Sequence, residues 1–231
     1  MNTPNPMKSM LDYLAALEEH NERAWYHAHK PALQQAQETF FSFLQMLLFA
    51  LGEEEAEFLY LNPRDLTFRI PRDARLYRDK PPYHPAFRAN LSPKGKVPIP
   101  CACFLCLRPG GRSFIGGGLF ASGFRGATLR VRDHLDRYGE EWLSVIQDVG
   151  FAQHFTVEGE RLKNVPREYD RDHPLGEFLK HKSWYAKSYF SDEEVLAEDF
   201  LDQVLDRIRL LRPLNGFLNE ALSGYQLPNW E

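Results

Sequence analysis

The first part of the chain carries apolar residues at helical spacing. Between Met7 and Leu17 they recur every three or four positions, which predicts an amphipathic helix. A break is predicted near His20–Asn21, because asparagine readily ends a helix, and a short helix through Trp25 follows. The same apolar spacing then continues from Pro31 to Leu51, which predicts a second, longer helix, and Gly52 ends it.

The middle of the chain changes its period. Apolar residues alternate over 66–70, which predicts a strand that is buried on one face. Four prolines within 71–85 then predict a loop, since proline cannot donate to a strand ladder. Further strands are predicted at 87–91, 99–107 and 113–115, the last two joined by a Pro-Gly-Gly turn.

Helical spacing returns over 126–149, with a break at a central glycine. The segment 151–162 predicts two short paired strands, and 184–190 predicts another strand. The sequence Ser191-Asp-Glu-Glu matches a capping box, so a long helix is predicted from there to Arg212. Pro213 is predicted to end that helix, and a final helix follows it.

This order of elements predicts an α+β fold with a mainly antiparallel sheet in the middle of the chain, packed by N-terminal and C-terminal helices. No repeat or flexible linker divides the sequence, so we expect a single domain over residues 1–231. Its parts are a helical layer at about 7–51, a strand-rich centre with a charged loop at about 64–118, helices and further strands at about 126–190, and C-terminal helices at about 192–222.

Composition narrows the class of protein. Hydrophobic residues make up 43% of the 231 residues and charged residues 26%, which is typical of a folded globular protein with a sizeable core. The net charge of −4 argues against a protein that coats nucleic acid, so we expect no nucleic-acid partner. Cys101, Cys103 and Cys106 lie in one apolar run, which is a poor disulfide framework. We expect them to be core residues in a reducing compartment.

The sequence lacks the patterns of a secretory signal, a membrane span, a dinucleotide site and a zinc site. The N-terminus lacks the apolar segment of a secretory signal, and the most apolar stretch, 40–51, is shorter than the roughly 20 residues that cross a bilayer. We therefore expect a cytoplasmic protein without a membrane partner.

No dinucleotide fingerprint or zinc-ligand spacing occurs, so we expect no cofactor and no metal. The glycines at 116–118 fit either a close backbone approach or a floor for a ligand.

The most unusual segment is 64–88, which we call the charged loop. It carries seven cationic side chains and three aspartates within an otherwise acidic chain. Arginine grips phosphate and carboxylate groups in a planar, bidentate way, so this segment predicts an anion site. In that site four cations bind the anion, two aspartates orient the cations, and two aromatic residues form walls. The residues are Arg72, Arg75, Arg78 and Lys80, then Asp73 and Asp79, then Tyr83 and Trp25.

The segment Ile70–Tyr83 resembles the signature R-D-x-R-F-S-x-D-K-x-P-Y of a bacterial conserved hypothetical family, known as domain of unknown function 2461. The segments Asn21–Trp25, Gly116–Gly118 and Pro213–Leu218 resemble further elements of that family in the same order. The resemblance covers nearly the whole chain and implies one conserved domain. It implies no reaction, and His84 stands where the family pattern has lysine.

Two functions are therefore open at the level of sequence. The first is a protein or enzyme that holds a small anionic ligand in the charged loop, with Tyr83 and His84 as candidate proton carriers. The second is a non-enzymatic interaction or scaffold protein, in which arginine–aspartate pairs pin the loop or dock an acidic partner. The sequence assigns neither a reaction nor an oligomeric state. Convergent arginine heads in a concave site would favour the first.

Overall fold

The computed structural model describes residues 5–73, 75, 79–120 and 123–228. Over these residues the chain forms ten α-helices, one 3₁₀ helix and five strands. The α-helices are α1 (Pro6–Glu19), α2 (Arg23–Ala28), α3 (Lys30–Gly52), α4 (Pro63–Leu66), α5 (Arg125–Arg137), α6 (Gly139–Ile146), α7 (Val149–His154), α8 (Gly176–Leu179), α9 (Asp192–Leu196) and α10 (Phe200–Ala221). The 3₁₀ helix is Ala56–Tyr60, and the strands are β1 (Phe87–Leu91), β2 (Cys103–Leu107), β3 (Ser113–Leu119), β4 (Val157–Glu158) and β5 (Trp184–Phe190).

The five strands form one antiparallel sheet in the order β1-β2-β3-β5-β4. At its β4 edge, Val157 pairs with Ala186 and Glu158 pairs with Tyr185. The sheet lies in the middle of the chain, and helices precede and follow it, so the predicted α+β class is confirmed. Among the described helices, none is both long and apolar enough to cross a membrane.

The chain divides into two compact units. The first contains Met1–Lys96, Phe104–Ile115 and Tyr189–Asp206, and the second contains Val97–Cys103, Gly116–Ser188 and Arg207–Glu231. The expectation of a single domain stays a prediction.

The core of the first unit forms where α3 packs against α1. The apolar stripe predicted for α3 is buried, and Phe40, Leu44 and Leu47 have no exposed surface. The Phe40 ring stacks on Phe87 of β1 with their centroids 5.2 Å apart. Burial of such side chains supplies most of the stability of a fold of this size, so α3 forms because its apolar face is covered.

In the second unit, the glycine run of β3 permits a close approach between backbones. A Cβ atom on Gly118 would lie 2.3 Å from the carbonyl oxygen of Trp184, and one on Gly116 would lie 2.8 Å from that of Ala186. Gly118 also has a φ of +106°, which favours glycine. Its backbone N–H donates to Oδ1 of Asn215 at 2.8 Å. Dense packing therefore explains these glycines, in line with the first of the two interpretations.

The prediction of a strand at 66–70 is wrong. Helix α4 ends at Leu66, and only isolated bridges follow, from Thr67 to Ala89 and from Pro71 to Tyr83. The prolines of the charged loop cannot donate ladder hydrogen bonds, so a regular strand does not extend through this segment.

The prediction of strands in 151–162 is also largely wrong. Residues Val149–His154 form α7, which begins where the Asp148 side chain accepts from the backbone N–H of Phe151. Only Val157–Glu158 is a strand, and it pairs with β5, while Arg161 makes an isolated bridge to His181. A local capping bond therefore outweighed the β-forming aromatic residues in this segment.

The capping box at Ser191 is present, but the long helix predicted after it is interrupted at residues 197–199. Pro213 does not end a helix, because it lies inside α10. Leu211, Leu214 and Leu218 are fully buried on both sides of the proline. Their packing offsets the hydrogen bond that proline cannot donate.

The three cysteines are buried and unbridged, as expected for core residues. Burial raises the pKa of the Cys101 thiol to about 12. Its backbone is held by Asn219, whose Oδ1 accepts from the Cys101 N–H at 2.7 Å. A thiol with so high a pKa is unreactive at neutral pH, so Cys101 acts as a small apolar core residue.

Candidate functional site

The charged loop is held in the first unit by pairing between its two ends. The Arg72 backbone N–H donates to the Pro82 carbonyl, and the His84 N–H donates to the Ile70 carbonyl, each at 2.8 Å. These two bonds enclose the isolated bridge between Pro71 and Tyr83, and the bridge between Thr67 and Ala89 lies further along the same pairing. The loop is thus an irregular hairpin, and its pairing fixes where Arg72 and His84 emerge.

Tyr83 is the best-anchored residue of this hairpin. The Asn21 side chain both accepts from the Tyr83 N–H, at 2.9 Å, and donates to its carbonyl, at 3.0 Å. The same carbonyl accepts from Nη1 of Arg72 at 2.7 Å, and this nitrogen also donates to the Pro81 carbonyl at 2.6 Å. The buried Tyr83 ring stacks on Tyr26 with centroids 4.0 Å apart. Asn21 therefore joins the break after α1 to the charged loop.

The next residue, His84, is subject to several positive charges. Its pKa is lowered to about 4, first by burial and then by the positive charges of Arg88, Arg72, Arg108 and Lys80. Its Nδ1 atom is buried and has no hydrogen-bond partner among the described residues. His84 is therefore neutral at pH 7. We call Arg72, Lys80, Arg88 and Arg108 the cation cluster.

Two members of the cation cluster, Arg88 and Arg108, are held by residues outside the segment 72–82. Nη2 of Arg88 donates to the Arg69 carbonyl at 3.0 Å. Arg108 forms an ion pair with Glu18 of α1, and Arg112 donates to the same carboxylate, with Nη1 3.0 Å from Oε1. Hydrogen bonds from Arg112 and then from Arg108 lower the pKa of Glu18. Nε of Arg108 is buried without a hydrogen-bond partner in the described part of the chain.

The Asp73–Arg75 pair points to solvent. The Arg75 backbone N–H and its guanidinium both donate to the Asp73 carboxylate, which lowers the pKa of Asp73 to about 2. The Arg75 side chain is 87% exposed, and Asp79 is also exposed. Exposed ion pairs contribute little to stability, because water competes for both partners. This pair therefore orders the loop only locally.

Trp25 lies in a separate cleft of about 510 Å³, formed by α1, α2 and α3. Its ring stacks on His29 with centroids 4.0 Å apart, and His20 lies 5.8 Å away on centroid distance. The hydroxyl of Tyr13, which also lines the cleft, is buried without a hydrogen-bond partner among the described residues. Burial is the largest cause of the raised pKa of this tyrosine.

Comparison with known proteins identifies the family. The model of the conserved hypothetical protein family DUF2461 matches residues 9–217. The chain belongs to this family. No match was found among curated proteins or among solved structures. Two segments that resemble DUF2461 elements, Asn21–Trp25 and Ile70–Tyr83, meet in the bonds between Asn21 and Tyr83.

The predicted site residues separate into three groups. The residues at or beside His84 are Arg72, Lys80 and Tyr83. The residues elsewhere are Asp73, Arg75 and Asp79, which are exposed, and Trp25, which lines the cleft formed by α1, α2 and α3. Arg78 lies outside the described residues. The structure therefore draws the site away from the loop tip and towards its paired ends.

Five residues of the site were not among the predicted site residues. Asn21 belongs to a DUF2461-like element and Arg88 to the basic segment, so both could have been found from those signals. His84 was considered only as a proton carrier. Arg108 and Glu18 carry no local signal, because 90 residues separate them in the sequence.

The chemistry of this arrangement is electrostatic. Across the described residues, no group of three or more histidine, cysteine, aspartate and glutamate side chains is placed to hold a metal ion. The arginine and lysine side chains whose charges act on His84 supply hydrogen-bond donors and positive charge, which suit a phosphate or a carboxylate.

Proposed function

We propose that this member of the DUF2461 family is a cytoplasmic protein that binds a small anionic ligand, bearing phosphate or carboxylate, through the cation cluster around His84. The observation that supports this proposal most directly is the Arg72 guanidinium, which is held on the Tyr83 carbonyl next to His84, where the positive charges of Arg88, Arg108 and Lys80 also act. Guanidinium groups bind such anions through paired hydrogen bonds, which lysine complements as a point charge.

The energetics of the cluster favour a bound anion. Like charges held close together repel one another and destabilise the folded state. The hydrogen bonds from Arg72 to two carbonyl oxygens hold its guanidinium in place without cancelling its charge. Glu18 neutralises only part of the charge on Arg108, because it shares its carboxylate with Arg112. An anion beside Arg72 and Arg108 would offset the positive charge that these contacts leave.

A structural role is the second candidate, and one observation favours it. Arg72 binds two backbone carbonyls of the proline-rich segment, at Pro81 and Tyr83, and so ties the ends of the loop together. In that case the chain is a non-enzymatic scaffold or interaction module. Hydrogen bonds from a charged donor contribute about 1.5–3 kcal/mol, so loss of Arg72 would then lower stability without any ligand.

The experiment is a thermal unfolding and calorimetric titration with phosphate and citrate at constant ionic strength. The variants are Arg72→Met and Arg88→Met, with Arg75→Met as the matched control from the same loop. We expect phosphate or citrate to stabilise the wild type and Arg75→Met, by about 2.7 kcal/mol at a hundredfold excess over the dissociation constant. Both cluster variants should lose this response.

Two results would contradict the proposal. One is the absence of any anion response in the wild type, together with a loss of stability in Arg72→Met, which would establish the structural role. The other is an equal response in Arg88→Met and wild type, because Arg88 belongs to the cluster. Constant ionic strength is needed because salt alone screens the repulsion among the cations.

A further inference from the structure

A row of aromatic side chains runs across the sheet in the first unit. Phe68, Phe104 of β2, Phe114 of β3 and Tyr189 of β5 contact one another in that order. Successive ring centroids are 5.7, 6.1 and 5.7 Å apart. We call these four residues the aromatic row.

The aromatic row lies on the face of the sheet that points away from the core. Phe104 is partly exposed, whereas its neighbours Cys103 and Leu105 are buried, as expected when successive side chains of a strand point to opposite faces. Phe68 and Phe114 are also partly exposed, and Tyr189 is 54% exposed. Partly exposed rings in contact offer an apolar platform to a flat ligand.

Cations lie over one end of this platform. The guanidinium carbon of Arg88 is 5.6 Å from the centroid of the Phe68 ring, and Nζ of Lys96 is 5.8 Å from it. Both distances are within the range of cation–π attraction. Since Arg88 also belongs to the cation cluster, the aromatic row and the cation cluster meet at this residue.

We propose that the ligand is a planar aromatic ring that carries a phosphate, as a mononucleotide does, with its phosphate on the cation cluster and its ring on the Phe68–Phe104 end of the aromatic row. This inference rests on the proposed function, because it names the class of anion for the same site. Charge complementarity selects the phosphate, and the partly exposed rings select the flat apolar group. Aromatic rings attract one another in offset or tilted stacks, and nucleobases bind such platforms with little sequence preference.

The test is a calorimetric comparison of four probes: inorganic phosphate, ribose 5-phosphate, phenyl phosphate and adenosine monophosphate. We expect both aromatic probes to bind about fivefold or more tightly than the two non-aromatic probes, as base–aromatic stacking predicts. Phe104→Leu keeps an apolar side chain of similar volume but removes the ring. This variant should lose the aromatic advantage and keep its affinity for phosphate. The control is Phe49→Leu, because Phe49 is an exposed aromatic residue of α3 outside the row.

The outcomes separate this inference from the proposed function. If phosphate binds and the aromatic probes bind no more tightly, the inference is wrong and anion binding stands. If no probe binds, both are wrong. If Phe104→Leu keeps the aromatic advantage, the ring does not lie on the row and the inference is wrong. If a single-stranded oligonucleotide binds far more tightly than adenosine monophosphate, the row serves a polynucleotide instead, which also contradicts the inference.

Discussion

Two groups of arginines and carboxylates in the first unit have similar chemistry and different surroundings. Asp73 and Arg75 are two residues apart and form an exposed pair. Glu18 is separated from Arg108 and Arg112 by 90 and 94 residues, and the Arg108 side chain is 29% exposed, against 87% for Arg75. Ion pairs formed by sequence neighbours can remain in water, where they are worth little. Groups assembled by the fold lose water, so their charges influence both stability and pKa values.

The largest expected effect on stability concerns the hydrogen bonds between Asn21 and Tyr83, which hold the hairpin of the charged loop. Asn21→Ala removes both hydrogen bonds to the backbone of Tyr83 and leaves its N–H without that acceptor. We expect the free energy of unfolding to fall by about 2–3 kcal/mol, as measured by denaturant titration. Asn21→Asp keeps the acceptor for the Tyr83 N–H and should lose less. A change below about 0.5 kcal/mol in Asn21→Ala would show that Asn21 does not anchor the loop.

A smaller effect on stability distinguishes the carboxylate of Glu18 from that of Asp73. Glu18→Gln removes the charge that Arg108 and Arg112 share, so we expect a loss of about 1 kcal/mol in unfolding free energy, reduced by the partial exposure of the group. The matched change Asp73→Asn should have no measurable effect on chemical denaturation, because the Asp73–Arg75 pair is exposed. Equal losses in the two variants would contradict the distinction between the groups.

The helices and most strands could be predicted because their information is local. The spacing of apolar residues predicts α1 and α3, and the capping box that begins at Ser191 predicts the start of α9. The exceptions depend on tertiary packing. Pro213 stays inside a helix because buried leucines flank it, and no local rule predicts that.

In the candidate site, too, only the features that depend on local sequence could be predicted. The sequence indicated a basic loop, and the charges of Arg72, Lys80 and Arg88 in that segment act on His84. Arg108 joins them only through folding, because it follows β2 in the sequence and pairs with Glu18 of α1. Charge density along the chain could therefore identify the loop, but it could not identify which loop residues face one another.

The central claim is that the cation cluster around His84 receives an anion, and the pKa of His84 reports on it most directly. Burial, and then the positive charges of Arg88, Arg72, Arg108 and Lys80, lower the pKa of His84 to about 4. Because the folded pKa lies below the unfolded value of about 6.5, neutral His84 costs no stability above pH 6.5. Stability is lost as the pH falls from 6.5 towards 4.

The decisive measurement is an NMR titration of the His84 imidazole from pH 7 to pH 3.5, without and with sulfate, which stays doubly charged over most of this range. A bound dianion offsets the neighbouring positive charges and favours the imidazolium form. We predict a pKa near 4 without sulfate and a clear rise towards 6.5 with it, and Arg75→Met should behave in the same way. A pKa that does not move at high sulfate, at constant ionic strength, would contradict anion binding at this cluster.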